Sequence, residues 1–173
     1  MSKLNIAFGD LNYVNDWNLG AIFVPLSITN IAGYCLKKFG DSISVSLHKD
    51  SASLFSSMHS TKTHIVALSF YHWNTALNRM VLKQIRSTFG NDVIICLGGP
   101  SIDSDHDEQL RLFEEFPEAN VFVINEGEVG FSNLVERVLS TPNPWEHPID
   151  GVVFQQNRDC IRGFDIGLST DLA

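Results

Sequence analysis

The sequence predicts an α/β domain: a doubly wound five-stranded parallel sheet, followed by a C-terminal β-hairpin extension. Three observations predict it. Five short apolar runs recur, each followed by a stretch whose apolar residues keep helical spacing. The third and fourth runs are apolar throughout, the pattern of strands covered on both faces. The 173 residues, 44% hydrophobic and 18% charged, fit one globular domain with one core.

The first run is Leu4 to Gly9. The second, Ile43 to Leu47, alternates apolar and polar residues, as an edge strand with one wet face does. The third is Ile65 to Phe70, the fourth Val93 to Leu97 and the fifth Val121 to Ile124. Between them, a stripe of Ile28, Ile31, Ala32, Cys35 and Phe39 follows Pro25 and stops at Gly40. Ser51 to Thr61 is weakly patterned and is read as a short helix. Asn74 or Thr75 is expected to cap a helix carrying Leu77, Val81, Ile85 and Phe89, ended by Gly90-Asn91. Asp105, with Glu108 three residues on, resembles a capping box before Leu110, Phe113 and Phe116. The last stripe is Phe131, Leu134, Val135, Val138 and Leu139.

Thr141-Pro142-Asn143-Pro144-Trp145 breaks helix, which places a boundary between residues 1–142 and 143–173. Beyond it, Gly151 to Gln155 and Cys160 to Arg162 read as a hairpin around the polar turn 156–159. The tail from Gly163 to Ala173 has no periodicity and reads as the start of a connection to a further domain.

Twenty acids against twelve bases give a net charge of −8. Such a surface repels phosphate backbones and anionic lipid heads, so the expectation is no nucleic acid and no membrane partner. No apolar run approaches the roughly 18–20 residues of a membrane helix. The start, Met1 to Asn5, lacks a signal-peptide core. Cys35, Cys96 and Cys160 are far apart with no C-x-x-C spacing; they read as reduced thiols in a cytoplasmic protein.

Open parallel sheets bind ligands beyond the carboxyl ends of their strands. Strand one runs into a long loop, Asp10 to Gly20, holding Tyr13 and Trp17. A loop of that length points to function. Strand three runs into Tyr71-His72-Trp73-Asn74, strand four into Gly98-Gly99-Pro100-Ser101, and strand five into Asn125-Glu126-Gly127-Glu128. Gly98-Gly99 removes two side chains at a strand end, which lets a large flat ligand touch backbone; a plain turn explains it equally well. No G-x-G-x-x-G follows strand one and no Walker lysine is present, which weighs against dinucleotides and nucleoside triphosphates.

Taken in order, Val24-Pro25-Leu26, Ser69-Phe70-Tyr71-His72-Trp73-Asn74, Leu97-Gly98-Gly99-Pro100 and Glu126-Gly127-Glu128 resemble the N-terminal cobalamin-binding domain of cobalamin-dependent radical S-adenosylmethionine (SAM) enzymes. That family has a Rossmann-like, flavodoxin-like cobalamin-binding fold, with a serine after strand three and a Gly-Gly pair after strand four. The resemblance runs from Leu4 to about Arg162. It implies a cofactor-binding set of Tyr13, Trp17, Ser69, Phe70, Tyr71, His72, Trp73, Asn74, Gly98, Gly99, Pro100, Ser101, Glu126, Gly127 and Glu128.

Two departures stand out. The D-x-H-x-x-G motif whose histidine ligates cobalt in the mutases is absent, since Leu11-Asn12-Tyr13 follows Asp10. The usual G-E-G-E is Asn125-Glu126-Gly127-Glu128. Glu126 and Glu128 also suit a helix N-terminus with no ligand at all. Elsewhere, Asp103-Ser104-Asp105-His106-Asp107 mimics part of a calcium loop, but Glu108 stands where the sharp turn needs glycine, so a solvated helix start is the reading. Of the six histidines only His72 lies at a ligand end, and no H-x-H or H-x-x-x-H pair exists.

The resemblance implies a domain that presents cobalamin to a radical SAM catalytic domain, in cis or on a partner chain, in a methyltransferase. SAM and a 4Fe-4S cluster would belong to that other domain, whose C-x-x-x-C-x-x-C loop is absent here. By itself the chain is expected to catalyse nothing. One alternative is a vestigial domain of this fold that acts as an interaction module without cofactor. A second is a flavin-binding flavodoxin-like protein, which would need a hydroxyl-rich loop after strand one. On the first reading the nucleotide tail of cobalamin inserts between strands three and four, held by Ser69 with room from Gly98-Gly99, and Gly99→Val blocks uptake with folding nearly intact. Strand parity turns His72 away from Ser69 and Tyr71, so an aromatic lid is expected under the corrin rather than histidine ligation.

Overall fold

The computed structural model describes residues 3–13 and 25–166. Val24 and Trp17 lie outside the described residues. The elements in chain order are β1 (Leu4–Gly9), α1 (Leu26–Phe39), β2 (Ile43–His48), α2 (Ser51–Ser60), β3 (Ile65–Ser69), α3 (Thr75–Phe89), β4 (Ile94–Gly98), α4 (His106–Glu115), β5 (Val121–Val123), α5 (Gly127–Ser140), β6 (Val152–Gln156) and β7 (Asp159–Arg162).

The strands form one seven-stranded sheet in the order β2-β1-β3-β4-β5-β6-β7. β1 to β5 are parallel, as expected. The correction concerns the hairpin, which continues the sheet instead of standing beside it. β6 pairs antiparallel with β5, and β7 with β6. The reason is an edge: β5 would otherwise expose a row of unpaired amides, and the apolar Val152-Val153-Phe154 covers it. Asn157 and Arg158 both adopt positive φ (54° and 67°), the two-residue turn whose twist matches a tight hairpin.

Strand alternation divides the core in two. Ile6, Phe8, Ala67, Cys96 and Val123 face α1 and α5. Ala7, Val66, Leu68, Ile95 and Leu97 face α2, α3 and α4. The weakly patterned second crossover does form a helix. The Asp50 side chain accepts from the Ser53 N–H at 2.8 Å, and Leu54 and Met58 bury its inner face.

Two caps differ from expectation. Asn74 precedes α3 but caps nothing in it; its amide joins a buried network described below. Asp105 does cap α4, accepting from Asp107 and Glu108 N–H at 3.0 and 3.1 Å, while Glu108 reaches forward to Arg111 instead of back. Asp103 accepts from the Asp105 N–H at 2.9 Å, so the calcium-like run is a helix start.

All three cysteines are free and buried. Burial pushes the Cys35 thiol up to about 12 and Cys160 up to about 11, values that leave both uncharged at neutral pH. Among the described residues no helix is long and apolar enough to cross a membrane.

Candidate functional site

Strand order reverses between β1 and β3, and a cavity opens at the carboxyl ends of the strands beside that point. It is a slot of about 280 Å³ lying flat on one face of the sheet, under α1 and α5. Its floor is made of small side chains in register: Ala67 pairs with Cys96 and Ser69 with Gly98. Val123, opposite Gly98, continues the floor onto β5. Phe8 and Phe131 meet at 4.9 Å between ring centres, and both line the slot. Ser27, Ile28 and Ile31 of α1 form one wall, and Gly127 and Glu128 of α5 the other.

β3 and β4 are hydrogen-bonded right up to this edge, and the Phe70 N–H extends the ladder to the Gly98 carbonyl at 2.7 Å. The closed ladder leaves no gap between β3 and β4 here, so any ligand in the slot would lie over the two strands and not between them as expected. Ser69 donates its hydroxyl to an Asp10 carboxylate oxygen at 2.5 Å, leaving lone pairs free to accept a further bond.

The two glycines do different things. Gly99 has φ +142°, and a Cβ there would sit 2.5 Å from the Phe70 carbonyl oxygen. The backbone demands glycine whatever binds, so Gly99→Val cannot leave folding intact as expected. At Gly98 a Cβ would meet only Val123, at 3.6 Å. Nothing in the sheet forbids a side chain there, and the space it would fill belongs to the slot. Asn125 takes φ +58°, the left-handed conformation that asparagine tolerates best after glycine. Asn125 thus stands, at the position of the first glycine of G-E-G-E, in a conformation that glycine adopts readily.

Of the implied residues, Ser69, Tyr71, Gly98, Gly99, Pro100, Gly127 and Glu128 line the slot. Others are turned away. Phe70 is 4% exposed and packs edge-on to Phe116 at 5.2 Å in the opposite core. His72 and Ser101 line a second cleft of about 340 Å³ on that opposite face, with Phe70, Asp103, Glu108 and Glu115. Asn74 is fully buried. It accepts from the Tyr71 N–H at 2.9 Å and donates to the Ser69 carbonyl at 3.0 Å, while Asn78 donates to the same carbonyl at 2.9 Å. Its work is to shape the β3–α3 turn. Trp73 stacks flat on Tyr71, 4.4 Å between centres and 9° between planes, and remains 64% exposed. Tyr13 is exposed and does not line the slot, and Glu126 sits at the N-cap position of α5.

Sequence reasoning missed Ala67, Cys96, Val123, Phe8 and the α1 wall. Parity was a usable signal: Ala67 and Ser69 share a face, as do Cys96 and Gly98, and all four are small. Among the described residues no group of three histidine, cysteine or acidic side chains is placed to hold a metal.

The fold and slot together define an open α/β domain with a mostly apolar ligand slot at its carboxyl edge. No family model matches the chain. Over 103 residues it is 30% identical to a protein described as the cobalamin-dependent radical SAM methyltransferase TokK, from Streptomyces tokunonensis. The matched stretch covers 57% of this chain and 14% of that protein. The chain thus contains a region similar to part of a cobalamin-dependent enzyme.

Proposed function

We propose that this chain is a cobalamin-carrying domain that serves a radical SAM methyltransferase, with the nucleotide tail of the cofactor lodged in the slot. The observation that carries the reading is the floor of Ala67, Ser69, Cys96 and Gly98, small side chains in register under two helices. A concave, mostly apolar slot of this shape suits a flat apolar group. The partial identity to TokK supports the same class of cofactor.

Bound cobalamin supplies methyl-transfer chemistry; the chain's own residues supply position. Ser69, held by Asp10, accepts a hydrogen bond from the tail. Phe8, Ile28 and Phe131 exclude water from its far end. Tyr71, stacked on Trp73 and set at the slot's rim, forms the aromatic lid beneath the corrin. His72 faces the opposite cleft, so no imidazole from this loop serves as the lower ligand.

The hairpin carries the chain back to the slot's edge. β6 runs back from the carboxyl edge and β7 returns to it, with Arg162 opposite Val153 and Val152 opposite Val123. The chain therefore leaves the sheet on the slot's edge. The Gly151 N–H to Phe164 carbonyl bond, at 2.9 Å, fixes that exit.

The test is titration of aquocobalamin into the protein and into Gly98→Val. Wild-type protein is expected to bind at a ligand concentration of about 100 μM or below. Gly98→Val is expected to keep its circular dichroism and lose uptake. Wild-type affinity in the variant would overturn the slot. A cofactor-free interaction module is favoured by one observation, that Gly99 and the Ser69–Asp10 pair each have a structural use of their own. Absence of any binding by the wild-type chain would favour that reading instead.

A further inference from the structure

Among the described residues, polarity within the slot is confined to the mouth. Ser69 and Gly98 form the outer register pair; Ala67 and Cys96, two residues earlier on each strand, lie about 7 Å deeper. The strand amides at that depth are committed to the ladders with β1, β3, β4 and β5. The side chains there are Ala67, Cys96, Ile28, Phe8 and Phe131, all under 10% exposed. The one polar atom among them, the Cys96 sulfur, lies 3.8 Å from the Leu97 carbonyl as a weak donor. Ser69, Asn125 and Glu128 stand at the rim.

We infer that the slot selects a cobamide whose lower base is a benzimidazole over one whose lower base is a purine. The inference rests on the cobalamin reading above. A dimethylated benzimidazole offers carbon and two methyl groups to the deep end. A purine offers ring acceptors and an amine, and among the described residues nothing at the depth of Cys96 pairs with them. Two effects act in the same direction: unpaired polar atoms lose their hydration, and the missing methyl groups lose their burial. Ser69 and the rim recognise the sugar, which both cofactors share, and so contribute equally to each.

The experiment measures binding, by visible absorbance and calorimetry, of three compounds to the intact chain: aquocobalamin, its adenine-based analogue and base-free cobinamide. Cobalamin is expected to bind about 10- to 100-fold tighter than the adenine analogue. Ala67→Ser, which places a hydroxyl on the slot floor, is expected to narrow that gap. Equal affinity for the two bases would overturn the selectivity while leaving the cobalamin reading standing. Cobinamide binding as tightly as cobalamin would show that the base does not enter the slot, and would overturn the inference as well. Binding of none of the three would overturn the cobalamin reading, and the inference with it.

Discussion

Gly98 and Gly99 are adjacent and identical in composition, yet the fold treats them oppositely. Gly99 is held at φ +142° against the Phe70 carbonyl, while a Cβ on Gly98 reaches only Val123 at 3.6 Å. Gly99→Ala is accordingly expected to destabilise the protein by at least about 2 kcal/mol, from strain and a backbone clash together. Gly98→Ala is expected to change stability by less than about 0.5 kcal/mol. Urea unfolding of the two variants checks this; equal midpoints would contradict it. The pair also shows what a motif conceals. Gly-Gly reads as room for a ligand, but only one of the two glycines provides it. The other serves a turn, which no residue-level pattern separates from the first.

At the scale of elements, α1 carries an unexplained weakness. Gly33 sits mid-helix with nothing within 4 Å of a prospective Cβ. Glycine there costs helix stability and packs against no described neighbour. Gly33→Ala is expected to raise stability by about 0.5–1 kcal/mol, read as a higher urea midpoint at unchanged slope.

Histidines at the end of β2 and just before β3 make stability depend on pH. His64 accepts the Asn5 N–H at Nδ1, 2.9 Å, and burial with the nearby Lys62 ammonium holds its imidazole below the ordinary 6.5. His48, held between Ser46 and Ser53, is lowered by burial against the opposing pull of Asp50. Both histidines therefore resist protonation in the folded state more than in the unfolded chain. Below pH 6.5 the unfolded chain binds more protons, so stability falls with falling pH until the folded-state values are passed. The melting temperature is expected to drop between about pH 7.5 and 5.5, and by less in His48→Asn/His64→Asn. An identical drop in that variant would refute the assignment.

Strand-helix alternation made the five parallel strands and their helices legible in the sequence, because apolar periodicity reports burial directly. The hairpin's place in the sheet was not legible. Val152 to Phe154 read as a strand, but only the exposed edge of β5 decides where that strand pairs. For the site, strand ends and parity located Ser69, Gly98 and the turning away of His72. The α1 wall was out of reach, since Ser27, Ile28 and Ile31 meet the slot only once the crossover from β1 to β2 has set α1 beside α5 on one face of the sheet. Asn74 was misjudged for a related reason. A polar residue at a ligand end reads as a contact, whereas its amide is consumed by the backbone of its own turn.

Across the whole molecule, the sheet's carboxyl edge gathers the slot, the Tyr71–Trp73 stack and the outgoing chain at 163–166. The central claim is that cobalamin binds here with its base drawn off cobalt and into the slot, and with no histidine taking its place. Electron paramagnetic resonance of cob(II)alamin mixed with one equivalent of the chain tests it most directly. Free cob(II)alamin shows nitrogen splitting from its own base. The account predicts that this splitting disappears on adding wild-type protein and persists with Gly98→Val; splitting that persists with the wild-type chain would contradict it.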